Sequence, residues 1–128
     1  MLPECDYVVA AAPLTPETKH MLGAPEFDSM KRSAVVMNVG RGPVIHEAAL
    51  IEALQSGRIH GAALDVFETE PLPAESPLWG MENVLISAHT ADHTKTWLKD
   101  AVVFFMEQFE RWKNGQPLKN IVDKRAGY

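Results

Sequence analysis

The chain has 128 residues, 46% hydrophobic and 23% charged, with 9 Pro and 8 Gly spread along it rather than gathered in a linker. That length fits one domain able to bury about two-thirds of its unfolded surface, and a net charge of -5 argues against a nucleic-acid surface, since only the tail (Lys119, Lys124, Arg125) gathers any positive charge. A lone Cys5 makes no internal disulfide, and with no apolar run of about 18 residues and no charged-then-apolar start, no membrane contact is expected and the cytoplasm is the expected compartment.

The opening five residues read as a loop leading straight into a strand. Residues 7–12 (Tyr-Val-Val-Ala-Ala-Ala) form a short apolar run stopped by Pro13, and 24–30 are long enough for a short helix. A second run, 34–39, stops at Gly40. Residues 47–56 carry Ala48, Leu50, Ile51 and Leu54 at helical spacing and close on Gly57. Runs at 62–66 and 84–87 follow. This alternation of short apolar runs with helical patterns predicts an α/β fold, a partial doubly wound, Rossmann-like parallel sheet of about four strands with crossover helices. Because the runs are continuous rather than alternating, the strands are expected to be buried on both faces.

From 94 to 113 a long amphipathic helix is expected, with Trp97, Ala101, Phe104, Phe105, Phe109 and Trp112 along one broad stripe and Asn114-Gly115 at its end. Residues 117–128 have no periodicity and read as a tail, which leaves residues 1–116 as the folded part. No internal repeat and no metal-ligand pattern is present.

Arg41, Asp65, Glu70 and His89 all fall at or just after the C-terminal ends of predicted strands, the edge at which open α/β sheets bind ligands. Singly each is ordinary: a solvated arginine in a Gly-Arg-Gly turn, an acidic loop, a histidine after a strand. Together they form a set. An arginine fork grips a carboxylate bidentately, an imidazole exchanges a proton, and a carboxylate beside it favours the imidazolium and holds the ring oriented. That combination suits hydride transfer to or from a 2-hydroxy acid. His46 is expected to cap or precede a helix, and His20, His60 and His93 carry no evident role.

The segments Ala12-Pro13-Leu14-Thr15-Pro16-Glu17-Thr18, Asn38-Val39-Gly40-Arg41-Gly42, Gly61-Ala62-Ala63-Leu64-Asp65-Val66-Phe67-Glu68-Thr69-Glu70-Pro71-Leu72 and Asn83-Val84-Leu85-Ile86-Ser87-Ala88-His89 resemble the C-terminal half of the cofactor domain of the D-2-hydroxyacid dehydrogenase family. The resemblance implies that Arg41 binds substrate carboxylate, Glu70 pairs with the histidine and His89 is the general acid/base. It also implies an NAD or NADP cofactor contacted by Ala12, Pro13, Thr18, Val39, Gly40, Arg41, Asp65, His89 and Ala91, and a small 2-oxo or 2-hydroxy acid such as glyoxylate or hydroxypyruvate as substrate. The chain departs from the family's pattern at Ala88, where proline is usual, a change that frees the strand exit before His89. It also contains no G-x-G-x-x-G turn to seat a pyrophosphate.

Without that seat, the 128 residues alone are expected to make a poor enzyme. The strand at 7–12, expected to lie at an edge, and the aromatic stripe of the long helix predict self-association or association with a missing half. Three readings stay open: a part of a 2-hydroxyacid dehydrogenase, a non-catalytic half-domain that binds or oligomerises, and a structural remnant.

Overall fold

A computed structural model describes residues 1–126, in two compact units: Met1–His89, and a second beginning at Thr90. In the first unit, strands β1 (Tyr7–Ala10), β2 (Val35–Asn38), β3 (Gly61–Leu64) and β4 (Val84–Ile86) alternate with helices α1 (Ala24–Ser29) and α2 (Glu47–Gln55). Proline in its first turn fits the opening of α1, where an N–H would have no helical partner, and the Glu26 carboxylate accepts the Gly23 N–H at 2.9 Å. His46 caps α2, its Nδ1 accepting the Ala49 N–H at 3.2 Å. Three short 3-10 turns, Leu2–Glu4, Gly42–Val44 and Pro77–Gly80, complete the unit. The first of these replaces the plain loop expected at the N-terminus, and all three carry proline in the first turn.

The four strands are parallel and stand in the order β1-β2-β3-β4. Each strand is added on the same side of the last. Right-handed crossovers repeated in one direction place their connections on one face of the sheet, and there Val36, Ala62, Leu64 and Ala10 join Phe27, Leu50, Leu54 and Leu78 in a single core. The expectation of burial on both faces is therefore wrong for this chain. In register across the other face run Val9, Met37, Ala63 and Leu85, of which Val9 is 57% and Leu85 71% exposed. An apolar run shows that a strand is buried somewhere, but it does not count the covered faces.

The second unit holds α3 (Trp97–Lys113), which begins three residues later than its sequence pattern. His93 stacks on Trp97 with ring centroids 4.6 Å apart, and the Thr96 hydroxyl donates to Asp100 at 2.7 Å. Beyond the helix, the Lys119 N–H donates to the Gln108 side chain at 2.7 Å and Arg111 Nε to the Pro117 carbonyl at 2.8 Å, so the start of the tail is fastened to α3. None of the helix residues is buried, and its aromatic stripe lies open. Among the described residues, no helix is long and apolar enough to cross a membrane.

Candidate functional site

β2 is flanked by β1 and β3, so the turn that follows it lies between two other strand exits. Asn38, 1% exposed at the end of β2, folds that turn: its Nδ2 donates to the Arg41 carbonyl and its Oδ1 accepts the Gly40 N–H, both at 3.1 Å. The two glycines are required by contact. A Cβ on Gly40 would lie 2.8 Å from the Ala12 carbonyl oxygen, and one on Gly42 only 1.8 Å from that of Phe67. Arg41 stands between them in extended conformation (φ −139°), exposed, with Nη1 on the Gly40 carbonyl at 2.8 Å.

At the exits of β3 and β4 the contacts converge on one pair. Glu70 receives the Phe67 N–H on Oε1 at 3.0 Å and meets His89 Nδ1 with Oε2 at 2.8 Å. His89 is held a second time through its backbone N–H, which donates to the Asp65 carbonyl at 2.9 Å, so with alanine at 88 the residue is held by both its backbone and its ring. Its backbone adopts a left-handed φ of 53°. Asp65, 4% exposed, accepts the Ser87 hydroxyl at 2.5 Å. Partial burial pushes the Glu70 carboxyl up. The His89 hydrogen bond, the Phe67 N–H and the charges of His89 and Arg41 outweigh that effect and hold it below the usual carboxylate range.

Beside this pair opens a cavity of about 630 Å³, walled by Phe67, Leu72, Trp79 and Ile86 and ended by Asp65, Glu70 and His89. The first unit thus brings Asp65, Glu70 and His89 together. Arg41 does not line the cavity, although its charge reaches Glu70. Ala12 and Pro13 follow β1, with the Ala12 carbonyl against Gly40, and the Val39 N–H donates to Ala10 at 3.0 Å. Thr18 uses its hydroxyl within its own loop, donating to the Pro13 carbonyl at 2.7 Å and accepting the Thr15 N–H at 2.7 Å. Ala91 falls in the second unit and is exposed.

Sequence reasoning passed over several residues that shape the site. Asn38 carried a signal, being a polar residue at the end of a buried apolar run; Ser87 and Trp79 carried none. A second cluster was also missed. Glu47 and Glu68 exchange bonds, the Glu47 N–H donating to Glu68 Oε1 at 3.0 Å and the Glu68 N–H to Glu47 Oε2 at 3.1 Å. His20 Nε2 reaches the same Glu68 Oε1 at 2.9 Å, and the His20 and His46 rings meet edge to face at 4.6 Å. Among the described residues, no group of three or more His, Cys, Asp or Glu side chains is placed to hold a metal ion.

A family profile described as "D-isomer specific 2-hydroxyacid dehydrogenase, NAD binding domain" matches residues 1–91. Glyoxylate/hydroxypyruvate reductase B of Enterobacter sp. (strain 638) is 47% identical over 123 residues, 96% of this chain but 38% of that protein. The chain therefore spans less than half the length of this relative. Among solved structures, a D-isomer specific 2-hydroxyacid dehydrogenase from Xanthobacter autotrophicus Py2 in complex with NADPH and MES matches with a TM-score of 0.89 at 46% identity, over 99% of this chain and 52% of that one. An NADPH-dependent glyoxylate/hydroxypyruvate reductase from Sinorhizobium meliloti in complex with NADP and sulfate gives 0.90 at 39%, over 99% and 41%.

Proposed function

The chain belongs to the D-isomer specific 2-hydroxyacid dehydrogenase family, and from that premise we propose that it supplies the catalytic edge of an NAD- or NADP-dependent oxidoreductase acting on a small 2-oxo or 2-hydroxy acid of the glyoxylate and hydroxypyruvate kind. The observation that carries this reading is the Glu70–His89 pair, 2.8 Å apart, at a sheet edge that also presents Arg41. With Nδ1 engaged by Glu70, Nε2 is the nitrogen left to exchange a proton with the substrate oxygen, and the low pKa of Glu70 keeps that partner charged. Arg41, once its fork leaves the Gly40 carbonyl, grips the substrate carboxylate.

The residues present fit the nicotinamide end of the cofactor. Asp65 and Ser87 stand beside the pair, and the tight approach of Gly40 to Ala12 clears a side-chain-free backbone surface. When bound, the nicotinamide supplies or accepts the hydride. No G-x-G-x-x-G turn lies within the sequence, so the pyrophosphate seat is assigned to a partner segment, and the chain alone is weakly active or inactive. Since each tenfold in affinity is about 1.4 kcal/mol, loss of that seat weakens cofactor binding by several orders of magnitude. In this reading residues 1–116 are half of a dinucleotide-binding domain with 117–128 as its tail, at work in the cytoplasm.

A second reading, a non-catalytic module that binds or oligomerises, is favoured by the bare row at Val9 and Leu85 and by the open aromatic stripe of α3. One titration separates the two. The chain is mixed with NADH or NADPH, fluorescence is followed, and glyoxylate or hydroxypyruvate is added. Cofactor oxidation that disappears in Arg41→Ala and His89→Ala supports the enzyme reading. No binding at millimolar cofactor supports a fragment that lacks its pyrophosphate seat, and self-association in light scattering supports the module.

A further inference from the structure

Glu70, which holds His89 from the β4 exit, is built on the β3 exit and Arg41 on the β2 exit, so something must hold those two exits in register. The Glu47–Glu68 exchange is placed to do so. Glu47 opens α2, six residues after Arg41, and Glu68 lies two residues before Glu70. The two reciprocal bonds, 3.0 and 3.1 Å, join segments 21 residues apart in the chain. Phe67, next to Glu68, has its N–H on Glu70 and its carbonyl against Gly42. A continuous path results: Arg41, the Gly42–Val44 turn, Glu47, Glu68, Phe67, Glu70, His89.

His20 ties in a third segment. Its Nε2 meets Glu68 at 2.9 Å, and its backbone N–H donates to Pro43 at 2.8 Å. The His46 N–H donates to Leu22 at 2.9 Å, so the loop before α1 is stitched along the same turn. Each Glu carboxylate here accepts a backbone N–H, which a mere solvated acidic loop does not require.

We propose that Glu68 is a positioning residue: with Glu47 and His20 it latches the β3 exit to the start of α2 and thereby sets where Glu70 holds His89, a role that matters for turnover only if Arg41, Glu70 and His89 act on substrate as proposed above.

The test is an NMR measurement of the imidazole ring nitrogens in the whole chain at fixed pH, with His89 assigned from His89→Ala and the mark of its bond to the carboxylate set by Glu70→Gln. Glu68→Ala removes the acceptor for both Glu47 and His20. It is expected to move the His89 Nδ1 resonance in the same direction as Glu70→Gln does, because a loosened loop no longer aims the carboxylate. Glu68→Gln keeps an acceptor oxygen and is expected to stay near the parent. Should Glu68→Ala fail to fold, Glu47→Ala decides, since it removes only the acceptor for the Glu68 N–H and is expected to move His89 in the same direction by less. A folded Glu68→Ala that melts lower yet leaves the His89 Nδ1 resonance as in the parent overturns the latch, as does an unmoved His89 in Glu47→Ala. The readout needs no cofactor. A displaced His89 resonance leaves the latch standing whether or not the chain oxidises cofactor, so the enzyme reading is decided separately, by the cofactor titration.

Discussion

Gly42→Ala puts the meeting of the two strand exits to a direct test. The added methyl would lie 1.8 Å from the Phe67 carbonyl oxygen, 2.0 Å from its carbon and 2.6 Å from the Glu68 nitrogen. All three are backbone atoms, so no side chain can swing aside. Restoring ordinary contact at 3.4 Å requires the exits to part by about 1.6 Å, enough to break the 3.0 and 3.1 Å bonds between Glu47 and Glu68. Overpacking strain of about 1–3 kcal/mol and about 1 kcal/mol for each lost hydrogen bond sum to roughly 3–5 kcal/mol. For a unit of this size the thermal midpoint should fall by more than about 10 °C. Where cofactor oxidation is measurable it should drop about a hundredfold, as expected for a misplacement on the order of 1 Å. Gly80→Ala, with no heavy atom within 4 Å of its new Cβ, serves as control and should stay within about 1 kcal/mol of the parent. Circular dichroism melts of the two variants suffice. A Gly42→Ala midpoint within about 2 °C of the parent would refute the contact between the exits and, with it, the placement of Arg41 relative to Glu70.

Asn38→Ala should cost about 2–3 kcal/mol in urea unfolding, since it removes a buried side chain that serves both the Gly40 N–H and the Arg41 carbonyl; a loss under about 0.5 kcal/mol would show that the turn holds itself. Glu70→Gln should destabilise by no more than about 1 kcal/mol, because the carboxyl is about a third exposed and screened by solvent. Its sign with pH is fixed by the lowered pKa of Glu70. The contribution is fully present above the ordinary carboxylate value of about 4.3 and is lost as pH falls through the lower folded value. The parent and variant midpoints should therefore converge on acidification below about pH 4, and a gap that widens there contradicts the assignment. Val9→Lys places a charge on the bare row at the β1 edge, and should shift the chain toward monomer in light scattering while changing stability by less than about 0.5 kcal/mol. An unchanged mass would count against that edge as a site of self-association.

The four strands and three helices were legible to within one to three residues because apolar runs and the 3.6-residue period are local signals. That Arg41, Glu70 and His89 stand at strand exits was legible because each follows an apolar run. The one-sided sheet was not, since it depends on the direction in which successive crossovers wind. Nor was the latch: His20, Glu47 and Glu68 are unremarkable in their own neighbourhoods and acquire meaning only when three distant loops meet. Arg41 illustrates a middle case, its position written in the chain and its distance from Glu70 written in the contact between Gly42 and Phe67.

His89 sets folding and chemistry against each other. A β-carbon in the left-handed region, where φ is 53°, carries a strain on the order of 1 kcal/mol that glycine would not feel. Glycine at 89 would relieve that strain but give up the 2.8 Å bond to Glu70, worth a similar amount, so His89→Gly should leave stability near the parent while deleting the imidazole. A screen of this chain for thermal stability would therefore be blind to removal of the side chain proposed above as the acid/base group, and would score that loss as neutral.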